Sequence, residues 1–327
     1  MSLNRLRAAL GALAMLAALG AGHTAQAQGF PNKPLRILVG FAAGGPTDVI
    51  ARVLAQEMTQ SLGQSVFVEN RTGANSLIAT EAVAHSAPDG YTLLFASLSH
   101  NVNPLLMKRT GYDPLGDFAP ISLTATLPMV VVVGSGSPAN SVKDLVAAAK
   151  ADPGKISFGS AGNGGSAHLA GALLQVQSGA QFTHVPFRGN APALTDVIAG
   201  NVSFMFYPII GIADFMNQKR VKVLAVGTPV RHPDFPGVPT MLELGYKGFD
   251  ETAPWVGMLA PAGTPVPVVQ KIHDAMIAAL AKPETRERLR SLGAVIVADN
   301  PAEFRAFLVK DKERWQQVIK AANIQPE

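Results

Sequence analysis

Leu35-Arg36-Ile37-Leu38-Val39-Gly40-Phe41-Ala42-Ala43-Gly44-Gly45-Pro46-Thr47-Asp48 is an apolar run that passes through two glycines into a helical pattern. Residues 35–41 have the length and composition of a buried strand. Residues 46–62 place Ile50, Val53, Leu54 and Met58 on one helix face, and Pro46 suits a first helical turn, where a missing N–H costs nothing. Outward from this stretch, residues 66–68 read as a second strand, 77–85 as a second helix, and 91–97 as a third strand behind the turn Pro88-Asp89-Gly90. The order βαβαβ, with crossovers of helix length, predicts a parallel α/β sheet.

The same alternation restarts near Met129. Strands are predicted over 130–133, 156–158, 182–186, 203–206 and 221–226, and helices over 142–150, 166–177 and 191–199. Beyond Gly245, residues 255–260 read as a strand, and 265–281, 283–292 and 301–322 as helices, each opened by a proline. The fold class is therefore α/β, with two lobes and a tail too small to make a third. The tail is expected to return to the first lobe, with chain crossings near 123–129 and 248–255. The expected division is 28–125 plus 253–327 for the first lobe and 126–252 for the second.

Composition narrows the function. Of 327 residues, 48% are hydrophobic, which excludes a disordered chain, and Gly 31 with Pro 24 is too little for a fibrous one. The absence of cysteine excludes disulfides, thiolate nucleophiles, and zinc-thiolate or iron-sulfur sites. A formal charge of +4, no long basic block and 6% aromatic residues argue against a nucleic-acid partner. Residues 1–27 carry Arg5 and Arg7, an apolar run over 8–19, and Ala25-Gln26-Ala27. This is the pattern of a secretory signal peptide cut after Ala27, with a run too short to span a bilayer, so a periplasmic protein is expected. Removing the leader takes away two arginines and no acid, which lowers the charge from +4 to +2 and names no partner.

Glycines let a backbone approach a ligand closely, and the first N–H groups of a helix have no partner inside it. The loop 41–48, at the carboxyl end of a strand, is thus a candidate anion site built from Phe41, Ala43, Gly44, Gly45, Thr47 and Asp48. Asp48 reads equally as a plain helix-start cap. In the second lobe, Ser160-Ala161-Gly162-Asn163-Gly164-Gly165-Ser166-Ala167-His168 has the same strand, glycine and helix form, and the two loops are expected to face each other. Gly162, Gly164 and Ala167 match G-x-G-x-x-A, as do Gly134, Gly136 and Ala139. Neither match has an acidic residue about 20 positions on, so no dinucleotide and no other cofactor is expected. No G-x-S-x-G, H-E-x-x-H or calcium-loop pattern occurs, so no metal and no catalytic residue is assigned. Ser99 and His100, with an acid, are the one triad that folding could assemble. Arg188 follows a strand end and reads either as a carboxylate partner or as a solvated arginine. Tyr207, at the next strand end, reads either as cleft lining or as core.

Several segments together carry a resemblance. They are Pro34-Leu35-Arg36-Ile37-Leu38-Val39 with the Gly44-Gly45 loop, Gly63-Gln64 through Val68-Glu69-Asn70-Arg71, and Pro88-Asp89-Gly90-Tyr91-Thr92-Leu93-Leu94. With Gly159 to Gly164, Val185-Pro186-Phe187-Arg188-Gly189, Ala260-Pro261-Ala262-Gly263-Thr264-Pro265 and the last helix around Trp315, the chain resembles the Bug-type extracytoplasmic solute receptors. These are the substrate-binding proteins of tripartite tricarboxylate transporters. The resemblance implies a type II periplasmic binding protein fold, with two lobes joined by two hinge crossings around a ligand cleft. It further implies a non-enzymatic, monomeric receptor that captures a small carboxylate and presents it to integral-membrane transporter subunits. In the family, first-lobe loops grip the carboxylate through backbone groups and bridging waters. That role falls here on the 41–48 loop, with Ala74, Asn75 and Ser97. The facing lobe would supply Ser160, Asn163, Ser166, Arg188, Asn190 and Tyr207. Two departures matter: the family often has Gly-Ala-Gly-Gly where this chain has Gly73-Ala74-Asn75-Ser76, and commonly Asp where Tyr207 stands. Loss of that acid suits an acidic or aromatic acid better than an amine. The alternative readings are a secreted enzyme on the same scaffold and a ligand-sensing input protein for a signalling receptor.

Overall fold

The computed structural model describes residues 29–187, 189–209 and 212–326; the leader expected over 1–27 lies outside them. In chain order the strands are β1 (Leu35–Val39), β2 (Val66–Asn70), β3 (Thr92–Ser97), β4 (Phe118–Thr126), β5 (Met129–Gly134), β6 (Ser157–Ser160), β7 (Thr183–Pro186), β8 (Phe204–Pro208), β9 (Val221–Val226), β10 (Trp255–Pro261) and β11 (Val295–Ile296). The helices are α1 (Pro46–Leu62), α2 (Leu77–Ala84), α3 (Ser99–Leu106), α4 (Val142–Ala151), α5 (Ser166–Ser178), α6 (Asn190–Ala199), α7 (Ile212–Asn217), α8 (Val266–Ala281), α9 (Pro283–Ser291) and α10 (Pro301–Ala321).

The strands form two sheets, ordered β11-β4-β10-β3-β1-β2 and β7-β6-β8-β5-β9. Each sheet is covered on both faces, because its strands are apolar on both. In β1, Ile37 packs under α1, α8 and α9, while its neighbour Leu38 packs under α2, α3 and α10. Helix α1 buries Ile50, Val53, Leu54 and Met58 against the first sheet, each worth about 1.5–3 kcal/mol. It stops at Gly63, which takes the left-handed conformation (φ 65°) and donates its N–H to the Thr59 carbonyl. A charge at Leu54, which is fully buried, is the single change that would undo this packing. Helix α10 begins with a capping box: Asn300 accepts the N–H groups of Ala302 and Glu303, and Glu303 accepts that of Asn300.

The tail does return to the first sheet, as β10 and β11 with helices α8 to α10. Four elements of the structure are absent from the sequence reading: the short helix α7 and the two-residue strand β11, and the longer strand β4 and helix α3. Strand β4 carries Pro120, which argues against a central strand, yet Pro120 sits where the ladder with β10 shifts register. Helix α3 carries Pro104 and a Ser-His-Asn start, which hides its periodicity. Because β4 runs to Thr126 and β5 starts at Met129, the first link between the sheets is only Leu127-Pro128. It runs beside the second, with the Leu127 N–H donating to the Pro254 carbonyl at 2.7 Å.

Candidate functional site

Strands β1, β2 and β3 are parallel, as are β6, β7 and β8. Their carboxyl ends carry the residues singled out from sequence. The first sheet presents loop 41–48 after β1, Ala74 and Asn75 after β2, and Ser97 at the end of β3. The second presents loop 160–168 after β6, Asn190 at the start of α6, and Tyr207 near the end of β8. Arg188 lies outside the described residues.

In the first loop, Gly44 is left-handed (φ 81°) and Gly45 is the N-cap of α1 (φ −75°, ψ 166°). The first helical bond runs from the Val49 N–H to the Gly45 carbonyl, so the amides of Thr47 and Asp48 have no partner within the helix. Asp48 is only 1% exposed and does not cap. Its Oδ2 accepts the Gly44 N–H at 2.8 Å and the Arg52 Nε–H at 2.9 Å, and its Oδ1 accepts Asn70 Nδ2 at 2.8 Å. Asn70 also donates to the Phe41 carbonyl. Burial opposes ionisation of Asp48, but the bonds from Arg52, Gly44 and Asn70 outweigh it and hold the carboxyl below its ordinary range. Asp48 thus fixes the loop from behind. Phe41 packs on the first core, while Ala43 and Gly44 are exposed.

The turn after β2 holds three successive non-glycine residues in the left-handed region, Ala74, Asn75 and Ser76 (φ 44°, 51° and 72°). Two reciprocal bonds pin it: Asn75 Nδ2 donates to Asn103 Oδ1, and Asn103 Nδ2 donates to the Asn75 carbonyl. Gly40 makes room beneath, since a Cβ there would overlap Ser76.

The second loop repeats the first. Gly164 is left-handed (φ 71°), Gly165 is the N-cap of α5 (φ −72°, ψ 160°), and the first helical bond runs from the Leu169 N–H to the Gly165 carbonyl. The Ser166 and Ala167 amides precede that bond. Ser160 Oγ donates to the Gly162 carbonyl, accepts the Gly162 N–H, and lies 2.7 Å from His184 Nε2. Burial, with the neighbouring His168, lowers His184 to about 3, so it is neutral at ordinary pH.

The two sheet edges meet. A Cβ on Gly164 would lie 2.7 Å from Leu106, 3.5 Å from Val102 and 3.8 Å from the Asn75 amide nitrogen. Leu169 of α5 is fully buried in the cluster that contains Val102, Leu106, Phe304 and Trp315. Loop 160–168 and Asn75 are therefore neighbours where the two sheet edges face each other. Ser97 bonds to Ser99, and Tyr207 packs partly on the second core, with burial raising its hydroxyl pKa. The Ser99–His100 triad does not form: His100 is buried, its Nε2 bonds to the Pro114 carbonyl, and burial lowers it to about 4. A cavity of about 540 Å³ lies at the other end of the second sheet, between Gly134, Ser137, Leu145, Ile156, Val197 and Val202, and touches none of these loops.

Sequence reading missed Arg52, Asn70, Asn103 and the histidine pair as supports of these loops. The matching Gly-Gly-x-x-Asp and Gly-Gly-x-x-His spacings were the available signal for His168; nothing local marks the others.

The family profile described as tripartite tricarboxylate transporter family receptor, TctC, matches residues 50–324. The chain belongs to this receptor family. The receptor is 37% identical over 314 residues to the UPF0065 protein in the tcbD-tcbE intergenic region of Pseudomonas sp. (strain P51), covering 96% of this chain and 93% of the relative. It is 35% identical over 322 residues to BugT of Bordetella pertussis, with 98% of each chain covered. Among solved structures, the periplasmic binding protein BugD superposes with a TM-score of 0.81 at 37% identity, over 91% of this chain and 100% of BugD. The R. palustris protein Rpa4515 with adipate gives 0.83 at 31% identity, over 91% and 100%. MatC from Rhodopseudomonas palustris with bound malate gives 0.80 at 32% identity, over 89% and 100%. The Bug-type resemblance and the two-lobe periplasmic binding protein fold both hold for this receptor.

Proposed function

We propose that the receptor binds a small organic acid in the cleft between loops 41–48 and 160–168 and delivers it to the membrane subunits of a tripartite tricarboxylate transporter. The observation that carries this reading is that each of two sheets carries a Gly-Gly helix start at its carboxyl edge, and that these edges meet where Gly164 abuts Leu106 and Asn75. Each offers backbone N–H groups to an anion, with the helix dipole adding about 0.3–1 kcal/mol or more when partly buried. The adipate and malate bound to Rpa4515 and MatC support a carboxylate as the ligand class. Contacts to the acid come from Thr47, Asp48, Ala74, Asn75 and Ser97 on one side, and from Ser160, Asn163, Ser166, Arg188, Asn190 and Tyr207 on the other, with Phe41, Ala43, Gly44 and Gly45 shaping the first loop.

The lobes divide at the Leu127-Pro128 link and near 252/253, and close about these paired links as a hinge. The protein works as a periplasmic monomer, exported by a leader cut after Ala27, and turns over no substrate. No helix among the described residues is long and apolar enough to cross a membrane. Calorimetry with a panel of mono-, di- and tricarboxylates, with amino acids and amides as comparators, tests the reading. Saturable binding of one or a few acids is expected; binding of none of them, or chemical conversion of the acid bound, contradicts it.

A further inference from the structure

A third glycine loop, Gly134-Ser135-Gly136-Ser137-Pro138-Ala139, leads from β5 into α4, but it lies at the other end of the second sheet, because β5 runs antiparallel to β8. Its amides are spent. The Ser135 N–H donates to the Arg220 carbonyl, the Ser137 N–H to the Gly134 carbonyl, the Ala139 N–H to Ser137 Oγ and the Asn140 N–H to Asp144 Oδ2. Ser141 caps α4 by accepting the Asp144 N–H. Bonds from Asn140 and Ser141 hold the Asp144 carboxyl below its ordinary range, so a negative charge stands where the other two loops offer amides to an anion.

Acceptors are left over instead. Helix α6 ends against this loop: a Cβ on Gly134 would lie 2.5 Å from the Val197 carbonyl oxygen and 3.2 Å from that of Ile198. The Val197 carbonyl takes the Gly200 N–H, but those of Ile198, Ala199 and Gly200 accept no N–H among the described residues. These carbonyls are the negative end of the α6 dipole, and Asp196 adds an acid in the same turn. They border the cavity of about 540 Å³ that Asp144 also lines, a volume that suits a small molecule. Leu145, Ala148, Ile156 and Val202 make its other walls apolar. Two lysines stand near: Lys143, exposed on α4, and Lys222, whose Nζ donates to the Ser137 carbonyl and to Asn140 Oδ1 and so holds the loop.

We propose that this cavity is a second ligand site, for a small amine with an apolar body. The ammonium donates to the free carbonyls of α6, with Asp144 as counter-charge, and the body covers Leu145, Ile156 and Val202. The site is separate from the carboxylate cleft and stands or falls without it.

Residue-resolved NMR on the full mature chain tests the proposal, with benzylamine, benzyl alcohol and benzoate as three probes of one shape and different charge. Benzylamine should shift the amide signals of Gly136, Leu145 and Ile198 saturably, benzyl alcohol should bind there at least about fivefold more weakly, and benzoate should leave them unmoved. Asp144→Asn, which keeps an acceptor for the Asn140 N–H, should weaken benzylamine at least about fivefold and leave benzyl alcohol within about twofold. Gly136→Leu should abolish both responses without touching carboxylate binding, since a Cβ there meets nothing within 4 Å and the longer side chain fills the cavity. If that variant does not fold, Ala148→Leu, at an exposed position of α4, makes the same obstruction. No saturable shift with benzylamine, shifts confined to the cleft loops, or undiminished binding in a folded filling variant overturns the site. Benzoate binding there as well as benzylamine, or Asp144→Asn binding benzylamine as wild type does, overturns the amine assignment.

Discussion

Asp48 was legible as a helix-start residue, but its role depends on Asn70, 22 positions away, and on a glycine it reaches backwards to hold. Local sequence reports spacing; it does not report which strand end will supply the third partner. Since the carboxylate has three donors and almost no exposure, Asp48→Ala should lower stability by about 1–3 kcal/mol in urea unfolding, with a matching loss of acid binding. Its folded pKa is lowered, so its contribution is present above the ordinary Asp value and disappears as pH falls through the folded one. Other groups bend the stability curve at milder pH. His100 and His184 are held neutral, lowered to about 4 and about 3, so the unfolded chain takes up protons first as pH falls below about 6.5. Asp299, raised to about 6 by burial against the N–H bond from Leu123, acts the other way, and its contribution is lost as pH rises from about 4 to 6. Asp311, whose carboxyl burial also raises, acts in the same sense as Asp299, so the two histidines and the two aspartates oppose each other between pH 6.5 and 4. Denaturant melts at several pH values separate them: on acidification over that range Asp299→Asn should lose more stability than the wild type, and His100→Gln should lose less.

At the scale of elements, the strand and helix alternation was readable because apolar runs and helical spacing are local. Strand β4 and helix α3 were not, since each contains a proline that only the assembled sheet tolerates. The glycine loops were readable too, and their histidine and asparagine supports were not, because those bonds close only after β2, β7 and α3 have docked. The 74–76 turn shows the same limit. Three left-handed non-glycine residues in a row cost about 1–2 kcal/mol each, and they persist because Asn103 bonds to Asn75 from both sides. Ala74 is exposed and makes no such bond among the described residues, so Ala74→Gly should relieve strain and stabilise the protein by about 0.5–1 kcal/mol, net of the extra chain entropy of glycine. Equilibrium unfolding measures this directly, and a destabilised variant would show the turn to be unstrained.

At the scale of the whole molecule, two sheets are joined by adjacent links and touch through Gly164, Leu106, Val102 and the buried Leu169. Capture requires these edges to approach, and any side chain at Gly164 would push against Leu106. Gly164→Ala should therefore shift the population toward an open form, seen as a larger radius of gyration in solution scattering with ligand present, and should weaken acid binding at least about tenfold. Gly179→Ala, left-handed like Gly164 (φ 65°) but with a Cβ that would meet nothing within 4 Å, is the matched control and should change neither. The most direct test of capture between the loops is a crystal structure with the acid that raises the melting temperature most in a carboxylate panel. The expected result is one carboxylate within hydrogen-bond distance of the Thr47 and Asp48 amides, with loop 160–168 closed over the same molecule. An acid seated instead in the cavity between Gly134, Leu145 and Val197, with the cleft holding only solvent, would contradict it.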